Sequence, residues 1–209
     1  DQSLKRMKLD YVDVFYSHRF DPDTPLQETM QALVDIVRSG KALYAGISNY
    51  PHEAAEYAYK YLAEHDVPCL LHQVKYNMLH RLPETDNLLE QARAAGSGLI
   101  AFSPLAQGVL TDRYLNGIPK DSRAARDFSL KSASITPDLV DRLQKLNALA
   151  AERGQSMAQM ALAWNLKDDL VTSVIIGASS VAQIDDNLKA IENKVFSNEE
   201  LKLIDSLTI

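Results

Sequence analysis

The 209-residue sequence has a single cysteine, Cys69, so no internal disulfide can form. That fits a reducing, cytoplasmic setting. No basic run occurs: Lys and Arg number 22 against 28 Asp and Glu, a formal net charge of −6. Such a balance gives no attraction for nucleic acid or an anionic membrane surface, and neither is expected as a partner. No apolar run approaches the ~18 residues of a membrane span, and no secretory apolar region opens the chain. Neither a Gly-x-Gly-x-x-Gly nor a Walker A pattern occurs, which leaves Rossmann and P-loop readings without support. The histidines lack metal-ligand spacing, and no metal is expected. An initiator Met is missing as well. Asp1-Gln-Ser-Leu-Lys-Arg-Met7 reads like the middle of a helix, and the expectation is a piece of a longer protein.

What is present is an ordinary globular composition, 46% apolar and 24% charged, in a chain long enough to bury a sizeable core. Strand and helix signals alternate. Val12–Tyr16 reads as a strand ending at Ser17-His18. A helix follows, with Thr24 as N-cap, Pro25 at its first position, Gln27 completing a capping box and Gly40 past its end. Leu26, Met30, Leu33 and Val37 mark its apolar face. Strands are further predicted at Ala42–Ser48, Pro68–Tyr76, Gly98–Phe102 and Val171–Ile176. Helices are predicted at His52–His65, Asp86–Ala95, Pro137–Arg153, Ser156–Lys167, Val181–Glu192 and from Asn198 to the end. The second-last strand is followed by a polar stretch, Gln107 to Thr136. It exceeds the usual connection length, so it reads as functional, mobile or both.

Nearly continuous apolar strands alternating with helices imply an α/β fold with parallel pairing. Five strands fit a doubly wound sheet or five-eighths of a (β/α)8 TIM barrel. Both place functional residues at the carboxyl ends of strands. Polar candidates sit there repeatedly: His18, Ser48-Asn49, Gln73, Ser103 and Ser179. Each also has a plain structural reading. A lone histidine such as His18 is more often structural or solvated. Asn49 could cap the following helix, and Gln73 could be a buried cross-link within the sheet. The turn Phe102-Ser-Pro-Leu-Ala-Gln-Gly108 can offer an aromatic face and exposed N–H groups to a phosphate. Gly177-Ala-Ser-Ser180 opens a helix in anion-site fashion, or is simple capping by Ser180 with Gln183 as its box partner.

Five ordered segments carry a resemblance that covers essentially the whole chain. They are Leu9-Asp-Tyr-Val-Asp-Val-Phe-Tyr-Ser-His18, Ser39-Gly-Lys-Ala-Leu-Tyr-Ala-Gly-Ile-Ser-Asn49, Gln73-Val-Lys-Tyr-Asn77, Phe102–Gly108, and Ile176–Ser180 through Asp186-Asn187. Together they resemble the C-terminal part of an aldo-keto reductase, from near the fourth barrel strand onward. Gly117-Ile-Pro-Lys-Asp-Ser-Arg123 and Arg153-Gly-Gln-Ser-Met-Ala-Gln-Met160 are typical of its bacterial L-glyceraldehyde 3-phosphate reductase branch, relatives of the potassium-channel β subunits. The resemblance implies residues 1–209 of a single barrel domain whose first three strands lie before Asp1.

It further implies NADP as cofactor and a small carbonyl substrate, an aldehyde or phosphorylated aldose. His18 corresponds to the tetrad histidine that orients the carbonyl; channel subunits carry Asn there. Ser48, Asn49 and Gln73 correspond to the groups holding the nicotinamide carboxamide, and Phe102 to the aromatic stacked on its ring. Ser103, Pro104, Leu105, Ala106 and Gln107 correspond to the pyrophosphate turn. Arg113, Arg123, Gly177, Ser179 and Gln183 correspond to the 2′-phosphate region, and Asp186 and Asn187 to adenine contacts. The family's Asp, Tyr and Lys tetrad members match nothing in this chain, so these 209 residues alone are expected to be inactive. The competing readings are a non-catalytic cofactor-binding regulatory module, and a phosphate-handling barrel isomerase or aldolase. The latter lacks a strand-end lysine. Association into a homo-oligomer is left open.

Overall fold

The computed structural model describes residues 1–209. Its elements begin with α1 (Gln2–Met7), β1 (Val12–Ser17), α2 (Leu26–Arg38), β2 (Ala42–Ser48), α3 (His52–Glu64) and β3 (Cys69–Lys75). They continue with α4 (Leu82–Thr85), α5 (Leu88–Ala94), β4 (Gly98–Phe102), α6 (Pro137–Glu152) and α7 (Met157–Asn165). β5 (Ser173–Ile175), α8 (Val181–Leu188) and α9 (Asn198–Thr208) complete the chain. The strands hydrogen-bond in the order β1-β2-β3-β4-β5, with β1–β2 and β2–β3 parallel. A doubly wound sheet reverses its strand order at a switch point. Here the order never reverses, so of the two folds open in the sequence the architecture is that of a partial TIM barrel. No helix is long and apolar enough to cross a membrane.

Packing groups the chain into two units. The first comprises Asp1–Lys75, Leu82–Ile100 and Leu170–Ser173. In it α2 packs on β1, β2 and α3, burying Met30, Leu33 and Val34 beside Ala45 and Ile47. The alanines of α3 (Ala54, Ala55 and Ala58) let that helix lie close, with Leu62 fully buried. Gly46 is required by the sheet itself. A Cβ there would stand 2.7 Å from Tyr16 Cε1 and 3.1 Å from the Leu71 carbonyl oxygen, so only glycine admits the tyrosine ring.

The second unit comprises Tyr76–Arg81, Ala101–Asp169 and Val174–Ile209. Here α7 packs on α6 and α8, and α6 on α9, around Trp164, Leu143, Leu146 and Met157. The predicted capping box at the start of α7 forms: Ser156 Oγ accepts from the Gln159 N–H and Gln159 Oε1 from the Ser156 N–H. The polar stretch after β4 is tied down by 3-10 turns at Ala106–Gly108, Asp112–Tyr114 and Ser132–Ser134. Val109, Leu110, Tyr114, Ala124 and Leu130 are its buried anchors.

Several sequence expectations are corrected. Thr24 does not cap α2: its hydroxyl donates to Asp21 Oδ2 (2.8 Å), and Pro25 takes the cap position without a side-chain bond. The carboxylate four positions before Pro25 competes successfully for that hydroxyl. The helix predicted from Asp86 starts at Leu88, because Asn87 adopts a left-handed φ of 60° that separates it from α4. The last strand shrinks to three residues, Ser173–Ile175. The helix predicted over Val181–Glu192 is α-helical only to Leu188 and tightens to a 3-10 turn beyond.

Candidate cofactor and active site

In the first unit the parallel register brings three predicted positions to one end of the sheet. Ser17 is level with Ile47, so His18 follows at the height of Ser48, and Ser48 is paired with Gln73. His18 is exposed just past β1, and its imidazole makes no hydrogen bond within the chain. The strand end beneath it is fixed, because Ser17 Oγ and the Tyr50 hydroxyl lie 2.7 Å apart. Asn49 holds a left-handed φ of 55°, a conformation asparagine tolerates better than most residues. Its backbone N–H donates to the Gln73 carbonyl (3.0 Å) and its Nδ2 to Ser48 Oγ (3.0 Å).

The capping role open to Asn49 in the sequence is not realised, since α3 begins after Pro51 with no side-chain cap. Nor does Gln73 cross-link the sheet: its amide is half-buried and has no hydrogen bond within the chain. Asn49 Oδ1 and the Gln73 amide thus remain free to accept from and donate to a planar amide. Tyr16 and Tyr50, near this end of the sheet, have pKa values above the usual range for tyrosine. Burial pushes Tyr16 up, and burial outweighs the Ser17 hydrogen bond at Tyr50. Neither is tuned to release a proton at neutral pH.

In the second unit the segment after β4 is unusual in its backbone. Ser103, Ala106 and Gln107 have φ of 55°, 47° and 60°, and such non-glycine left-handed residues cluster at functional sites. The Ala106 N–H returns to the Ser103 carbonyl and the Gly108 N–H to that of Leu105. The N–H groups of Leu105 and Gln107 carry no bond within the chain. Alternation of this kind makes a concave nest of donors suited to an anion. Pro104 and half-buried Phe102 flank it, and Gln107 Nε2 ties it to the Ser129 carbonyl (3.2 Å).

The start of α8 is built differently from the expected box. Ser180 Oγ does accept from the Gln183 N–H (3.2 Å), but the Gln183 side chain reaches Ser179 instead, taking both its N–H (2.8 Å) and its hydroxyl (3.2 Å). Gly177 is exposed, and a Cβ added there would meet nothing within 4 Å. Asp186 is held by Gln159, whose Nε2 donates to its carbonyl oxygen (3.1 Å) and Oδ1 (2.7 Å). Asn187 is 5% exposed, and its buried Nδ2 has no partner in the chain. Arg113 is paired with Asp121 at 2.7 Å, whereas Arg123 is exposed and makes no bond. Sequence reasoning missed the Arg113–Asp121 pair and the Gln159–Asp186 tie. An eight-residue spacing inside an irregular loop carries no local signal for the first, and a 27-residue separation hides the second.

Comparison with known proteins bears on the family. The model of the aldo/keto reductase family matches residues 1–209. The chain belongs to the aldo/keto reductase family. It is 52% identical over 98% of its length to the L-glyceraldehyde 3-phosphate reductase of Escherichia coli K12. It is 36% identical over 98% of its length to a putative voltage-gated potassium channel subunit beta of Schizosaccharomyces pombe. Among solved structures, a thermostable aldo-keto reductase, Tm1743, crystallised with the inhibitor epalrestat, superposes with a TM-score of 0.74 at 33% identity. That match covers 98% of this chain and 63% of the other. The chain spans 60% and 61% of the two curated relatives' lengths.

Proposed function

We propose that the full-length protein containing this chain is an NADP(H)-dependent reductase of small aldehydes or phosphorylated aldoses, with L-glyceraldehyde 3-phosphate as the first substrate to test. The observation that carries this reading is the level placement of His18, Ser48 and Gln73 at one sheet end. The identity to a protein named for that reaction supports it. The residues present fit a nicotinamide dinucleotide: an unbonded amide at Gln73, a donor nest at Leu105–Gln107, and a buried, unpartnered amide at Asn187. When bound, the cofactor supplies hydride to the carbonyl carbon. His18 donates from its ring N–H to the carbonyl oxygen and fixes its direction. Within the first unit Ser48, Asn49 and Gln73 would hold a carboxamide; within the second, taken by itself, Ser103–Gln107 would hold a pyrophosphate and Phe102 would offer its face to the nicotinamide ring. Asp186 and Asn187 serve the adenine. The proton for the product alkoxide is not assigned to Tyr16 or Tyr50, which burial shifts away from proton release; the resemblance implies a tyrosine acid outside these 209 residues. The test is loss of NADPH absorbance on adding L-glyceraldehyde 3-phosphate or small aldehydes to the full-length protein. A protein that binds NADPH tightly but turns over none of them would favour the regulatory-module reading, to which the channel-subunit relatives also point.

The preference for NADPH over NADH has to be local, because a protein of net charge −6 does not attract a phosphate in general. Arg113 already neutralises Asp121, and Ser179 and Gln183 bond each other. Of the two arginines, Arg123 is the uncommitted one, and its planar fork suits a phosphate monoester. Arg123→Ala should weaken NADPH binding by about 1.5–3 kcal/mol, the range for a hydrogen bond to a charged group, and leave NADH nearly unchanged. Equal losses for the two cofactors would assign Arg123 to supporting the loop instead.

Expressed as these 209 residues alone, the chain is expected to self-associate and to show no turnover. Phe15, Leu43, Tyr44 and Leu70 lie on the strands with between 37 and 49% of their surface exposed, and exposed apolar strand residues invite association. A monodisperse monomer that reduces aldehydes would overturn both this expectation and the need for an outside proton donor.

A further inference from the structure

The nest after β4 is strained at three residues, and one side chain outside it holds it in shape. Asn77 is 1% exposed, and every polar group it carries is committed. Its backbone exchanges hydrogen bonds with His80, N–H to carbonyl at 3.2 Å and carbonyl from N–H at 2.9 Å. Its Oδ1 accepts from the Leu79 N–H (3.0 Å), which fixes the amide plane. Its Nδ2 is thereby aimed at the Ser103 carbonyl, 2.8 Å away across 26 residues of sequence. That carbonyl also accepts from the Ala106 N–H (2.9 Å), so its two lone pairs are both used. Ser103 is the first of the left-handed residues, and Ala106 and Gln107 follow from the turn it closes. Next to Asn77, the Tyr76 N–H reaches the Phe102 carbonyl.

The geometry points to Asn77 as a positioning residue for anion recognition by the 103–108 turn. It touches no ligand; it keeps the Ser103 carbonyl turned inward and so keeps the Leu105 and Gln107 N–H groups facing out. Without its amide donor the turn can relax toward ordinary φ values, releasing backbone strain, and the donors disperse. The inference rests on the reading that this turn holds the cofactor pyrophosphate.

The decisive variant in the full-length protein is Asn77→Asp, with Asn77→Ala beside it. Aspartate keeps the size and the acceptor for Leu79 but presents an acceptor to the Ser103 carbonyl. We expect KM and Kd for NADPH to rise roughly 10-fold, as for a lost buried hydrogen bond, with kcat at saturating NADPH within about 2-fold of wild type. Amide hydrogen exchange should accelerate at Ala106, Gly108, Val109 and Leu110 while α6 and α7 keep their protection. Wild-type affinity in Asn77→Asp would overturn the proposal. So would faster exchange throughout α6 and α7, which would make Asn77 a general stabiliser. A wild-type protein that binds no NADPH would defeat the cofactor reading before any substitution is made, and this inference with it.

Discussion

His18→Ala in the full-length enzyme is expected to lower aldehyde reduction by about 10²–10⁴-fold, the span associated with one positioned acid–base group. NADPH affinity should be unchanged. The structure explains why the loss should fall on chemistry and not on folding. The imidazole is exposed and bonds nothing in the chain, so its removal opens no cavity and strands no partner. The strand end is anchored one residue earlier, through Ser17 and Tyr50. Ser48, Asn49 and Gln73 are organised by each other, so the amides that serve the cofactor do not depend on His18. Stopped-flow measurement of NADPH oxidation beside equilibrium NADPH binding separates the two effects. A variant with weakened binding and surviving turnover would make His18 a cofactor or structural contact.

A second large effect is expected from a histidine away from the site. His72 is fully buried on β3, with Nδ1 2.6 Å from the Tyr59 hydroxyl and Nε2 without a partner. Burial pushes its pKa down to about 4. Cys69 and Tyr59 are pushed up by the same burial, the thiol to about 11, so both stay neutral and offer the imidazolium no counter-charge. The folded value lies below the ~6.5 of an unfolded histidine, so the unfolded chain takes up the proton first as pH falls. The contribution is complete above about pH 6.5 and drains away from there toward pH 4, by about 3 kcal/mol in total. Asp21 and Asp127, whose carboxyls are held low by hydrogen bonds from Thr24 and Ser132, add an acid-sensitive background. His72→Gln keeps a hydrogen-bonding group for Tyr59 and does not titrate. Urea unfolding of the full-length protein at pH 7 and pH 4.5 should therefore show a smaller drop in the variant than in the parent. Equal drops in both would mean that His72 is solvated or paired in the folded protein.

The parts of this molecule legible in the sequence are those set by neighbours along the chain. The Ser156–Gln159 box is written within four residues, and it forms because it uses Gln159 Oε1, while the Asp186 tie uses only Nε2. The strand ends at His18, Ser48 and Phe102 were readable from where apolar runs meet polar residues, since a strand's polar terminus is a local boundary. Thr24 marks the limit of such reasoning: the same local rule applied, but Asp21 took the hydroxyl, and the sequence gives no relative strength for the two bonds. Strand order was not legible at all, because five apolar runs pair equally well in a reversing or a continuous sheet until the crossovers are placed.

The polar ties between distant residues, in the candidate site and in the core, belong to the tertiary structure. Asn77 with Ser103, Gln159 with Asp186, and Tyr59 with His72 join residues 26, 27 and 13 apart. Arg113 and Arg123 look alike in the sequence, yet only Arg113 has its charge answered, by Asp121. The sequence by itself determined which residues stand at the strand ends, and with them the chemistry on offer. Only the fold decided which of those groups are spent on each other and which stay free for a ligand, because a buried donor is satisfied by whatever acceptor packing brings within about 3 Å, whatever its place in the chain.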